Sequence, residues 1–202
     1  MNLRASAIVC AVRPHGETAV IVRLLTAQEG MVAAYVAGGR GRLMRPVLIP
    51  GNTVEAEIRA KTEGRLPFAR IELMRSRGPW MSEPLPAAAI VWVTALAAAA
   101  LPERQAYPSI HEALTGLLEA ICVAPSARGW AGALVAYETL LLRELGYGGA
   151  LERANEQEWP EFLRSFDRMG RLLEAYPLAD RRTDVMAARA MLRERLARIE
   201  GG

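Results

Sequence analysis

Residues 38–52 place three arginines, Arg40, Arg42 and Arg45, on a segment that opens with Gly38-Gly39 and is closed by Pro50-Gly51. Glycine lets a backbone turn sharply and approach a ligand, and arginine offers a rigid fork of donors that matches phosphate oxygens. The chemistry on offer is therefore anion binding, although a solvated hairpin loop has the same composition. Catalytic chemistry has few carriers. His15 and His111 are the only histidines, and neither neighbours an Asp or Cys cluster. The first reads as a solvated turn residue and the second as an exposed residue in the first turn of a helix. No Gly-x-Ser-x-Gly elbow occurs, and Gly38-Gly39-Arg40-Gly41 is followed neither by Gly-Lys-Ser/Thr nor by a helix, so it is not a P-loop. Glu55 and Glu57 share one face of a strand and read as ordinary solvation. The chain reads as a non-enzyme without a cofactor, and binding is the remaining class.

The charge distribution points the same way. Residues 1–80 carry 12 Arg/Lys against 6 Asp/Glu, a net of +6, whereas residues 81–202 carry 13 against 16, a net of −3. A basic module followed by an acidic one suits a polyanion at the first. The candidate contacts are Arg13, Arg23, Arg40, Arg42, Arg45, Lys61 and Arg65. If about five touch phosphates, single-strand affinity falls with a log–log salt slope of about −3.5. Stacking rings are scarce in this module, with Tyr35 and Phe68 also readable as core and Trp80 at its end. The expectation is phosphate-dominated, sequence-insensitive binding, by a glycine-rich loop that orders only on its ligand.

The elements that must carry these residues are short. Residues 6–12, 17–25, 31–37, 52–59 and 66–73 read as strands, the clearest being Val54, Ala56 and Ile58 alternating with Thr53, Glu55 and Glu57. Five strands in about 75 residues with glycine-containing turns imply a small β-barrel. An SH3-like barrel fits, and the OB-fold is favoured by size and by its frequent nucleic-acid binding. From Ser82 onward the period becomes helical. Helices are predicted over 86–101, 109–123 (Ser109 and Glu112 forming a capping box), from Ser126 to a stop at Gly146, over 159–176 and over 183–199, the last with arginines on its outer face. The fold class is α+β: an N-terminal OB-fold barrel, residues 1–80, then an all-α C-terminal domain, residues 81–202, with a boundary near 78–84.

Residues 84–102 carry no charge but hold three prolines and many alanines, which favours a buried helix over a membrane span. Trp92, Trp130 and Trp159 lie on apolar helical faces and read as core. Cys10 and Cys122 are far apart and read as small buried hydrophobes, so no disulfide or metal site is expected. No secretory hydrophobic region precedes Arg13, and the chain is expected to be cytoplasmic.

Several short stretches, in order, resemble one family. They are Pro14-His15-Gly16-Glu17; Leu24-Leu25-Thr26 with Glu29-Gly30; Gly38-Gly39-Arg40 through Pro50-Gly51-Asn52; the run from Tyr137-Glu138-Thr139 through Leu145-Gly146-Tyr147; and the patterns over 162–173 and 179–195. Together they are similar to the bacterial RecO recombination mediators, over nearly the whole chain. The resemblance implies an OB-fold followed by a helical domain, binding of single- and double-stranded DNA, and annealing of complementary strands. It also implies partnership with RecR and with the acidic C-terminal tail of SSB, so that RecA loads on gapped DNA in the nucleoid. Arg128 and Arg143 flank the Tyr137 helix and are the candidates for the SSB tail. Many members carry a cysteine cluster after the Leu-Gly-Tyr motif; residues 148–158 hold no cysteine here, so zinc is not expected.

Overall fold

Val54, Ala56 and Ile58 turn inward as their period requires, and they meet Ala7, Val9, Val22, Leu24, Val32 and Ala34 in a wholly buried interior. The computed structural model describes residues 2–60, 65–148, 158–179 and 185–201. Strands β1 (Asn2–His15), β2 (Ala19–Thr26), β3 (Gly30–Val36), β4 (Thr53–Arg59) and β5 (Phe68–Arg75) close into a barrel in the order β1-β2-β3-β5-β4. Only the β3–β5 contact is parallel, at Tyr35 opposite Phe68. This is the expected OB-fold.

β1 is longer than its apolar run suggests. Its first half pairs with β4 from Asn2 to Ile8, its second half pairs with β2 from Ala7 to His15, and the register shifts between Val9 and Ala11. Such a bulge lets one strand turn the barrel corner and serve two neighbours. Pro14, expected in a turn, lies inside β1. Pairing with β4 has ended by that point, so its missing N–H costs no ladder bond on that side.

Five helices follow: α1 (Pro84–Ala100), α2 (Pro108–Val123), α3 (Ala131–Glu144), α4 (Trp159–Ala175) and α5 (Val185–Ala197). α1 is apolar on every side and buried at Ala89, Ile90, Trp92, Val93, Leu96 and Ala97, so it is a core helix. Among the described residues no helix is long and apolar enough to cross a membrane. Trp92, Trp130 and Trp159 are all buried. The expected capping box is absent: α2 begins one residue earlier, at Pro108, and has no side-chain cap. Proline at the first helical position has no N–H in need of one. Ser126 precedes a short 3-10 turn, Ala127–Gly129, and α3 starts after it.

Barrel and helices share one core, because Ile8, Cys10, Leu25 and Met31 point outward from the barrel and pack with α1 and its neighbours. Burial pushes the Cys10 thiol up to about 12, so it stays a protonated apolar group. Cys122 is only half-buried. Arg77 pins the junction: its Nη1 donates to the Gly51 carbonyl at 2.5 Å and to Thr53 Oγ1 at 3.1 Å, and its backbone N–H donates to Asn52 Oδ1 at 2.7 Å.

Candidate nucleic-acid interface

The outer surface of the barrel has two faces of different character. On the first, formed by the N-terminal half of β1 with β4 and β5, register sets Arg4 opposite Glu57, Ser6 opposite Glu55 and Glu57 opposite Arg70. The charges there are matched. Arg4 pairs with Glu55 at 2.7 Å, Arg59 with Glu57, and Arg70 with Glu72 at 3.9 Å. Arg75, at the end of β5, reaches Glu119 of α2 at 2.6 Å.

The second face is formed by the C-terminal half of β1 with β2, β3 and the start of β5. Arg13 lies opposite Ile21, Ile21 opposite Tyr35, and Tyr35 opposite Phe68, so these four residues form one row across the sheet. Partners in register share a face, and strands stand roughly 4.8 Å apart, which sets Arg13 two strands from Tyr35. His15 meets Tyr35 edge-on at 5.8 Å between ring centroids, and Tyr35 meets Phe68 at 5.1 Å with an interplanar angle of 70°. Phe68 is 53% exposed and Tyr35 half-buried beside it, so neither belongs to the buried core. Stacking groups are present where few were expected. His15 is the last residue of β1 and not a turn residue, which lets its ring reach Tyr35 from the next same-face position along the strand.

The arginine segment borders this second face. It was expected to be mobile, but its backbone is folded on itself: Gly41 N–H donates to the Gly38 carbonyl, Met44 and Arg45 N–H to Gly41, and Leu48 N–H to Met44. Leu48 is buried in the barrel interior, with Met44 and Val47 packed beside it. Asn52, wholly buried, donates through Nδ2 to the carbonyls of Pro46 and Val47, both at 2.9 Å. A Cβ on Gly39 would come within 2.5 Å of Val20 Cγ2, so glycine here serves close packing rather than mobility. Arg40 Nη1 donates to the Gly16 carbonyl at 3.1 Å, tying the segment to the turn beside His15. Arg45 Nε donates to the Arg40 carbonyl at 3.0 Å. Arg42, at the tip, is exposed, as is its neighbour Leu43.

The seven basic candidates thus fall into three groups. Arg13, Arg40, Arg42, Arg45 and Arg65 are exposed, and no carboxylate among the described residues pairs with them. Arg23 is half-buried and faces Glu103 at 3.6 Å, in the connector that lies along β3. Lys61 lies outside the described residues. Arginines without an internal counter-ion keep their full charge available to a partner, whereas those of the first face are already matched.

In the helical part Arg128 and Arg143 are not brought together. Arg128 stacks over Trp159 at 4.9 Å, before α3, and Arg143 sits in the last turn of α3, a helix roughly 20 Å long. A cleft of about 570 Å³ lies between the entry to α1 and the end of α2, lined by Trp80, Leu85, Ile121, Pro125, Ala127 and Trp130 among others. Arg128 follows directly on the lining residue Ala127. Among the described residues no group of three His, Cys, Asp or Glu could hold a metal ion. The cysteine-free segment at 149–157 lies outside the described residues.

Two family matches cover most of the chain: residues 1–77 match "Recombination protein O N terminal" and residues 81–184 match "Recombination protein O C terminal". Curated relatives named DNA repair protein RecO include that of Caulobacter vibrioides, 43% identical over 150 residues that make up 73% of this chain and 60% of the relative. The Phenylobacterium zucineum protein is 41% identical over 153 residues, 73% of this chain and 60% of that one. The Rhodospirillum centenum protein is 41% identical over 149 residues, 73% and 58% of the two chains. The chain therefore spans about three-fifths of the length of the curated relatives it matches.

Proposed function

The chain belongs to the RecO family of DNA repair proteins, and from that premise we propose that it is a non-catalytic recombination mediator. It binds single- and double-stranded DNA on the second face of the barrel, anneals complementary strands, and with RecR helps RecA load on SSB-coated DNA. In this reading residues 1–80 act as the nucleic-acid-binding unit and residues 81–202 as the partner-binding unit, in the bacterial cytoplasm. The observation that supports it is that Arg13 and Arg40 lie beside the second face, Arg13 in its row and Arg40 tied to the turn after His15, with no carboxylate partner among the described residues. A surface that grips backbones without reading bases can hold either strand of a pair, which is what annealing requires.

The test is the salt dependence of oligonucleotide binding. Replacing Arg40, Arg42 and Arg45 by alanine removes three phosphate contacts, so the log–log slope for single strands flattens by about 2 and annealing slows. An unchanged slope sinks the assignment of these residues.

A second reading, favoured by the apolar cleft lined by Trp80, Leu85, Ile121 and Trp130, is an adaptor whose barrel is structural and whose helices bind the acidic SSB tail. The apolar walls suit a hydrophobic peptide end, although Glu83 in the lining works against acidic residues and Arg128, whose guanidinium lies over Trp159, is not among the lining residues. Parallel titrations of a labelled acidic tail peptide and a labelled oligonucleotide separate the two. The adaptor binds the peptide alone.

A further inference from the structure

On the second face Phe68 and His15 are exposed, and Tyr35 is half-buried between them. Phe68 keeps 53% of its surface in solvent, and its ring meets that of Tyr35, which in turn meets His15. The interplanar angles, 87° and 70°, set successive rings nearly perpendicular to one another. Edge-to-face contact fixes each ring in place. Two cationic groups stand at the His15 end of the cluster. Arg13 lies in the same row across the sheet, and Arg40 reaches the Gly16 carbonyl, one residue beyond His15.

Building on the DNA-binding reading, we propose that His15, Tyr35 and Phe68 form a stacking platform for the unpaired bases of a single strand whose phosphates are held by Arg13 and Arg40. Base–aromatic stacking is sequence-tolerant because every base offers a π-face. Edge-to-face packing turns successive rings nearly perpendicular, so they form no continuous stack, and the exposed Phe68 ring is the one that offers a base its face while Tyr35 and His15 hold it. In a duplex the bases are stacked inside the helix and out of reach, so duplex DNA engages the arginines alone. The platform therefore makes the barrel prefer single strands, and it adds a component of affinity that salt does not screen. The cationic groups select this occupant over an apolar peptide, which would leave the arginines unmatched.

The experiment uses the full chain and three labelled probes followed by anisotropy across a salt series: an oligothymidylate, an abasic oligomer with the same number of phosphates, and a duplex. The oligothymidylate binds about tenfold or more tighter than the abasic oligomer. Phe68→Ala removes most of that difference, leaves abasic and duplex binding unchanged, and keeps the salt slope. Phe68→Trp restores the difference. Because Phe68 is exposed, the alanine variant tests binding without threatening the fold. If the wild type binds oligothymidylate and abasic oligomer equally, or Phe68→Ala changes neither, the platform is overturned while DNA binding stands. If the wild type binds none of the probes, the DNA-binding reading itself falls.

Discussion

An arginine beside aromatic rings occurs in two regions of this molecule, with opposite consequences. In the helical core Arg189 lies over the Phe166 ring at 3.6 Å and 5.5 Å from the centre of Trp92. It also has a carboxylate: Glu138, fully buried, accepts Arg189 Nη2 at 2.8 Å and Nε at 3.3 Å, and accepts the Trp92 indole N–H at 2.7 Å. The Phe166 carbonyl takes another donor, and Gly170 leaves the space that the guanidinium fills, since a Cβ there would collide with Nη1. On the barrel Arg13 and Arg40 border the rings of His15, Tyr35 and Phe68, and no described carboxylate pairs with either. Arginine and rings alone do not distinguish a brace from a site. The presence or absence of an internal counter-ion does.

The largest expected effect breaks the brace. Burial pushes the Glu138 carboxyl up, and the Arg189 guanidinium and Trp92 N–H pull against that shift. Glu138→Ala leaves a guanidinium buried and unpaired, which costs about 3–5 kcal/mol, and lowers the melting temperature by roughly 6–20 °C. Oligonucleotide affinity, measured well below the transition, is unchanged. Replacing both partners together, Glu138→Leu with Arg189→Met, recovers much of the loss. A melting curve for Glu138→Ala that overlays the wild type would mean that the pair is not the brace described.

The next effect acts on what holds the loop ready. Asn52→Ala leaves the Pro46 and Val47 carbonyls and the Arg77 N–H without their partner, a cost of about 1–3 kcal/mol. Amide exchange at Met44–Leu48 quickens, and DNA affinity falls, because the arginines must then be ordered on binding. Faster exchange with unchanged affinity would show that preorganisation of the loop contributes nothing to the grip.

Much of this was legible in the sequence. The alternation of Val54, Ala56 and Ile58 announces a half-buried strand, and the change of period after Ser82 announces helices. Tyr35 was legible too, because it is out of phase with the inward Val32, Ala34 and Val36. Its meeting with Phe68 was not, since it depends on a single parallel contact between distant strands that no local pattern encodes. Arg189 was expected on an outer face, as arginines usually are. It sits instead on the stripe of Val185, Leu192 and Leu196, and Glu138 on that of Leu134, Leu141 and Leu145. A charge on each of two apolar stripes was the available sign of a buried pair. The glycines of the arginine loop misled for a plainer reason. Composition reports conformational freedom, whereas Leu48 and Asn52 decide whether that freedom is used.

The smallest effect tests whether counter-ions alone separate the two barrel faces. Glu55, Glu57 and Glu72 hold Arg4, Arg59 and Arg70 in exposed pairs, and Arg59 lowers the Glu57 carboxyl by hydrogen bond and charge. Exposed pairs contribute little to stability, so the triple change Glu55→Gln, Glu57→Gln, Glu72→Gln leaves the melting temperature where it is. It also frees three arginines on a face that has strands of the same kind and borders Phe68, which lies opposite Arg59. If an unmatched charge is all that a phosphate requires, this face begins to bind: the single-strand salt slope steepens, by up to about 2 if all three arginines engage. The gain in affinity remains severalfold, because this face has no row of rings and its arginines are not set by a folded loop. A slope that stays put would break the comparison, since the open face would then owe its grip to geometry rather than to unmatched charge.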